Sequence, residues 1–129
     1  MDELIVLGTG NAAVTRCYNT CFALNLDGEL LLCDAGGGNG ILAQLEKADI
    51  PWEQVHTLIL THAHSDHLLG AVWVLRMVAT SMNAGRYQGE LHIYCDSTVR
   101  EGLCAMARVT LQSSHRRPHP LSRCNGRRL

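Results

Sequence analysis

Apolar positions along the chain fall into short continuous runs that read as strands and into stretches at the 3.6-residue spacing of helices. Residues 3–7 read as a first strand, ended by Gly8, Thr9 and Gly10, where two glycines permit a tight turn. Residues 20–25 and 29–33 read as two further strands separated by Leu26, Asp27 and Gly28, and Asp-Gly between apolar runs is a strong hairpin signal. Gly36, Gly37 and Gly38 follow, then Ile41, Leu42 and Leu45 at helical spacing until Pro51 stops the helix. Residues 55–60 form an apolar strand that runs into T-H-A-H-S-D-H, so the histidines are expected in a loop at a strand's C-terminal end. A helix is expected from about Leu68, with Leu68, Val72, Leu75 and Met82 on one face. Residues 91–95 make another short strand, and Thr98 with Glu101 forms a capping box for a helix displaying Val99, Leu103 and Met106. The order β, β, β, α, β, α, β, α predicts an α/β layered domain, and its opening hairpin makes the sheet mixed, with flanking helices.

Length and charge narrow this picture. A chain of 129 residues with 47% hydrophobic residues suits one core rather than two. The formal net charge of −1 gives no overall bias toward nucleic acid, membrane or acidic ligands. That average hides an asymmetry: all 12 acidic side chains precede residue 113, whereas the last stretch carries five arginines and no acid. Residues 1–111 are therefore expected to form the structured unit and residues 112–129 a basic, disordered tail.

The opening residues lack the basic and long apolar regions of a secretory signal, so the expected location is cytoplasmic. No membrane segment is expected, because the apolar run 68–78 is interrupted by Gly70 and Arg76 and is too short to span a bilayer. The six cysteines show no C-x-x-C pairing and are read as small core residues or bystanders.

The chemistry is concentrated in residues 61–67. His62 and His64 alternate along an extended segment, so both imidazoles can face one cation, and Asp66 and His67 add a carboxylate and a third imidazole. Such a set can seat a second cation roughly 3.5–4 Å from the first, lowering the pKa of a shared water and polarising the bond it attacks. Imidazole and carboxylate donors suit zinc, and also iron or manganese. Solvated loop histidines are the plain alternative for single residues, but three histidines within six positions favour a metal site. His56 and His92 lie on strand candidates and read as packed or surface residues; Trp52 and Trp73 are expected to pack against the sheet. Gly8 and Gly10 lack the third glycine a dinucleotide loop needs.

The T-H-A-H-S-D-H segment resembles the H-x-H-x-D-H signature of the metallo-β-lactamase superfamily. That resemblance implies an αββα sandwich of which this chain supplies the first half. It also implies two metals, zinc in the family, one held by His62 and His64 and the other by Asp66 and His67, with Asp66 the catalytic candidate for handling a proton. Asp34, in L-L-C-D-A-G-G-G, resembles the family's first aspartate, which orients the metal loop without binding metal; a turn-capping carboxylate is the alternative. L-G-T-G at 7–10, Asn19 with Thr20, D-A-G-G-G and L-H-I-Y resemble the ribonuclease Z-like branch, and the resemblance covers about residues 1–111. The branch implies hydrolysis of phosphodiesters, RNA among them, by a metal-bound hydroxide; it also contains enzymes acting on other phosphoesters, sulfate esters or cyclic nucleotides.

A complete family member continues through a third metal histidine, a bridging aspartate and a final histidine, which have no counterparts here. Two protein ligands per metal imply weak binding, and the missing half implies an uncovered sheet face suited to self-association. His115 and His119 are poor replacements because Pro118 lies between them, and residues from about Gln112 are expected to be a foreign ending. Three readings follow: a ribonuclease Z-like hydrolase on a truncated chain; a non-catalytic isoform or fragment that binds metal weakly or associates with a partner chain; and the same fold acting on a thioester or β-lactam.

Overall fold

The first hairpin closes through Asp27 and Gly28, both with positive φ (51° and 95°), as a two-residue primed turn requires, and Asn25 Oδ1 accepts the Gly28 N–H at 2.9 Å. The structure is a computed structural model describing residues 1–111; the expected tail at 112–129, with His115, His119 and its arginines, lies outside the described residues. Strand β1 (Glu3–Gly8) pairs antiparallel with β2 (Cys21–Leu26), and β2 with β3 (Glu29–Cys33). Helix α1 (Gly40–Lys47) leads through a short 3-10 turn (Trp52–Gln54) to β4 (Val55–Ile59), which lies parallel to β3. Helix α2 (Ser65–Asn83) leads to β5 (His92–Tyr94), parallel to β4, and α3 (Ser97–Thr110) follows. The sheet is mixed, in the order β1-β2-β3-β4-β5.

That order never reverses. Right-handed crossovers from β3 to β4 and from β4 to β5 therefore put successive helices on the same side of the sheet, and α2 packs against both α1 and α3. The cross-strand row Ile5, Ala23, Leu32, Leu58 and Ile93 faces the helices. Ile41 and Leu45 of α1, Ala71, Val74, Leu75 and Val78 of α2, and Val99 and Leu103 of α3 close over it, each with 0% exposure. A buried aliphatic side chain of this kind contributes roughly 1.5–3 kcal/mol relative to exposure, so this layer dominates the stability of the domain.

The opposite face has no helix among the described residues. Its rows are Leu4, Leu24, Leu31, Thr57 and His92, and Val6, Phe22, Cys33, Ile59 and Tyr94. Leu4, Val6 and Tyr94 are 59%, 58% and 52% exposed. A groove of about 510 Å³ over β1 and β2 is lined by Leu4, Val6, Phe22 and Leu24 among others.

Three local expectations are corrected, and the reading of His56 and His92 as a packed and a surface residue agrees with the structure. Helix α2 begins at Ser65 rather than near Leu68, so Asp66 and His67 lie in its first turn and only His62 and His64 precede it. Apolar periodicity hides this turn because its residues are polar; His64, with extended φ and ψ, is the N-cap, and His67 N and Leu68 N donate to His64 O at 3.0 Å. Helix α3 is capped by Asp96, whose Oδ1 accepts the Val99 N–H at 2.8 Å, and starts one residue before Thr98. The 3-10 turn after Pro51 carries Trp52 against the core as expected, but Trp73 is 38% exposed on α2. His56 packs on Tyr87, with ring centroids 4.8 Å apart, and His92 is exposed, so neither joins the histidine cluster.

Candidate metal centre

Strands β3 and β4 run parallel with Cys33 opposite Ile59, so the segments leaving their C-terminal ends emerge side by side. Asp34, directly after β3, donates its N–H to Ile59 O at 2.8 Å and takes φ 57°, a left-handed conformation that aspartate tolerates better than most residues. The turn aims its carboxylate, in a residue only 5% exposed, beneath the segment that follows β4. Oδ1 accepts the Thr61 N–H at 2.8 Å; Oδ2 accepts the Thr61 hydroxyl at 2.7 Å and the His67 ring at Nδ1 at 2.7 Å. A buried carboxylate needs such donors, and charge-assisted bonds of this length are among the stronger ones.

The rest of the cluster assembles above Asp34. His67 Nδ1 faces a group that only accepts, so it carries the proton, and Nε2 is turned toward Asp66 Oδ2 at 3.3 Å. His62 Nδ1 lies 2.8 Å from Thr61 Oγ1. The His62 ring centroid is 4.5 Å from that of His64 and 4.2 Å from that of His67. The structure thus brings together His62, His64, Asp66, His67 and Asp34.

Donor atoms of Asp34, His62 and His67 lie within 4.8 Å of one another, close enough for one ion. Both Asp34 oxygens are already engaged, Oδ1 by the Thr61 N–H and Oδ2 by the Thr61 hydroxyl and His67 Nδ1. A histidine whose far ring nitrogen is held by a carboxylate is the usual arrangement behind a metal ligand. Three imidazoles and the Asp66 carboxylate are also a donor set that zinc, iron or manganese accepts, so the residues present fit the group.

Two supporting features were not assigned from the sequence. The Tyr18 hydroxyl lies 2.8 Å from Ala35 O and 2.9 Å from Gly38 O, tying the loop after Asp34 to the β1–β2 connection. Burial pushes its pKa up, partly offset by the backbone bond at Gly38. Asn19 bridges the same loops: its Oδ1 accepts the Gly37 N–H at 3.0 Å and its Nδ2 donates to Asn11 O at 2.9 Å. Beneath the site, Cys21 is fully buried; burial, then the charges of Asp34 and Cys33, push its thiol up to about 12, which marks it as an inert core thiol.

A mixed sheet with helices on one face, and a histidine–aspartate cluster where a parallel strand meets a helix, are the features of a metallo-β-lactamase fold. Solved structures with this fold include the short form of human tRNase Z (TM-score 0.70, 24% identity, covering 84% of this chain and 39% of that one). The metallo-β-lactamase fold protein YhfI of Bacillus subtilis is another (0.67, 20%, 81% and 42%). Within that class, residues 2–123 match the family model described as Anti-Pycsar protein Apyc1, and the chain belongs to this family. Among curated relatives, the ribonuclease Z of Pyrococcus abyssi is 37% identical over 95 residues, 73% of this chain and 29% of the relative. That of Thermococcus kodakarensis is 37% identical over 95 residues, 73% of this chain and 28% of the relative. The chain therefore spans less than a third of the length of these relatives.

Proposed function

We propose that residues 1–111 are the first half of a metal-dependent hydrolase that cleaves phosphodiesters, RNA among them. The observation that carries this reading is the Asp34–His67 pair, which turns His67 Nε2 outward beside Asp66, His62 and His64. His62 and His64 would hold one ion, Asp66 and His67 a second. The chemistry that zinc supplies at such a donor set is Lewis-acid polarisation of an ester oxygen and acidification of water. This chain's residues bind and orient: Asp34 fixes His67, the exposed His64 borders the solvent side from which a substrate arrives, and Asp66 Oδ2 is the carboxylate oxygen available to take up or return a proton. No helix among the described residues is long and apolar enough to cross a membrane. The ribonuclease Z relatives support a phosphodiester rather than a thioester or β-lactam substrate.

The test is zinc uptake measured by chelator competition, comparing the native chain with the double variant His62→Ala, His64→Ala. We expect binding that is weak for a structural site, since the described residues supply two ligands per ion where three or four are usual, and at least tenfold weaker still in the variant. Equal uptake by the two proteins would remove the metal centre from the reading.

The apolar outer face supports a second reading, in which a further copy of this chain covers it and the product binds metal without turnover. Val6 and Phe22 are paired across β1 and β2 on that face, and large apolar patches seldom remain in contact with water. Sedimentation should show the native chain as a dimer or larger and Val6→Lys, Phe22→Lys as a monomer with unchanged helical content. A native chain that remains monomeric at high concentration would end this second reading.

A further inference from the structure

We propose that Thr61 is a positioning residue that fixes His62 in the Nδ1–H tautomer, so that Nε2 is the atom His62 offers to a cation. The inference rests on the metal-centre reading for its purpose, but its evidence is a count of protons around one hydroxyl. A threonine hydroxyl has one proton to give and lone pairs to receive others. Thr61 Oγ1 stands 2.7 Å from Asp34 Oδ2 and 2.8 Å from His62 Nδ1, so it bonds to both.

Only one assignment satisfies all three groups. If the hydroxyl proton pointed at His62, two oxygens, Thr61 Oγ1 and Asp34 Oδ2, would face each other at 2.7 Å with no proton between them. With the proton on the carboxylate side, Oγ1 must accept from His62, and the ring carries its proton on Nδ1. Asp34 Oδ2 sets His67 the same way through its direct bond at 2.7 Å. One carboxylate therefore dictates both tautomers, His67 at first hand and His62 through Thr61. The two rings, 4.2 Å apart, each keep Nε2 clear of this network. The same chain of bonds restrains the His62 ring against rotation, since Thr61 is itself held by its N–H on Asp34 Oδ1.

Thr61 is exposed, so Thr61→Val changes the hydroxyl to a methyl of similar shape without opening a cavity in the core. The backbone bond from Thr61 to Asp34 and the His67 bond both survive the change. The measurement is the tautomer of His62 in the metal-free 129-residue chain at mildly alkaline pH, read from long-range proton–nitrogen correlations of its ring. The native chain and Thr61→Ser should show Nδ1–H. Thr61→Val should shift His62 to mostly Nε2–H while leaving His67 unchanged.

Zinc affinity should follow, falling about 10–100-fold in Thr61→Val, the range typical for loss of a group that orients a metal ligand, and staying within about threefold of native in Thr61→Ser. An Nε2–H ring at His62 in the native chain, or an unchanged ring in Thr61→Val, overturns the proposal. A native chain that shows Nδ1–H at His62 yet takes up no zinc overturns the metal-centre reading instead; the tautomer assignment is decided by the spectra alone.

Discussion

Replacing Asp34 with asparagine should leave a folded chain whose zinc affinity has fallen by at least about 100-fold. Asparagine is among the few residues that accept the left-handed conformation Asp34 adopts at φ 57°, and its carbonyl oxygen can still receive the Thr61 N–H in place of Oδ1. The second oxygen becomes an NH₂ group. It then donates to Thr61 Oγ1 and His67 Nδ1, both of which previously donated to it.

Each bond reverses its polarity. His67 Nδ1 becomes an acceptor, so the ring proton sits on Nε2, which then has no lone pair to offer a cation. Thr61, now receiving from the amide, directs its hydroxyl proton at His62 Nδ1, and that ring reverses as well. In Ser-His-Asp triads the same substitution preserves the geometry and costs about 10⁴ in rate through the wrong tautomer. The fold should lose only about 1–3 kcal/mol, the range for impairing a buried hydrogen-bonding group. Thermal unfolding and chelator competition on the same samples separate the two effects. Zinc bound within a few-fold of native would show that Asp34 does not set the ring protons.

The proposed ligands could be picked out in the sequence because His62, His64, Asp66 and His67 are local: six consecutive positions contain all four. What holds them in place was not equally visible. Asp34 was found only through family resemblance, and Thr61, although inside the same motif, has no readable role until it meets a carboxylate 27 positions earlier. Tyr18 reaches across 17 and 20 positions to Ala35 and Gly38 for the same purpose.

Elements followed the same rule. The Asp27-Gly28 turn and the short apolar strand runs are local signals and came through. The first turn of α2 is polar, so hydrophobic periodicity missed it and placed Asp66 and His67 in a loop. The strand runs C-F-A-L and L-L-L-C are apolar on both faces, a pattern of sheets covered on both sides, and no helix among the described residues covers their outer face.

The largest loss of stability should come from Gly70→Ala, although alanine is the better helix former by about 1 kcal/mol. Gly70 sits where α2 crosses the loop after β3: its N–H lies 2.8 Å from Gly36 O, and the Ala35 N–H donates to His67 O at 3.1 Å. A Cβ on Gly70 would stand 1.9 Å from Ala35 O and 2.7 Å from Ala35 C, both backbone atoms of a residue with no exposure. No side-chain rotation relieves that clash, so the helix must separate from the loop that carries Asp34. Overpacking a close backbone crossing costs roughly 1–3 kcal/mol and sometimes more, and here the upper end outweighs the gain in helix propensity. A fall in melting temperature of roughly 10 °C or more follows for a domain of this size. Gly38→Ala supplies the contrast, since its Cβ would meet nothing within 4 Å. If helix–loop docking positions Asp34 under the histidines, Gly70→Ala should weaken zinc binding along with stability, whereas Gly38→Ala should leave both near native. Equal melting temperatures for the two variants would show that α2 and the glycine loop are not held at this crossing.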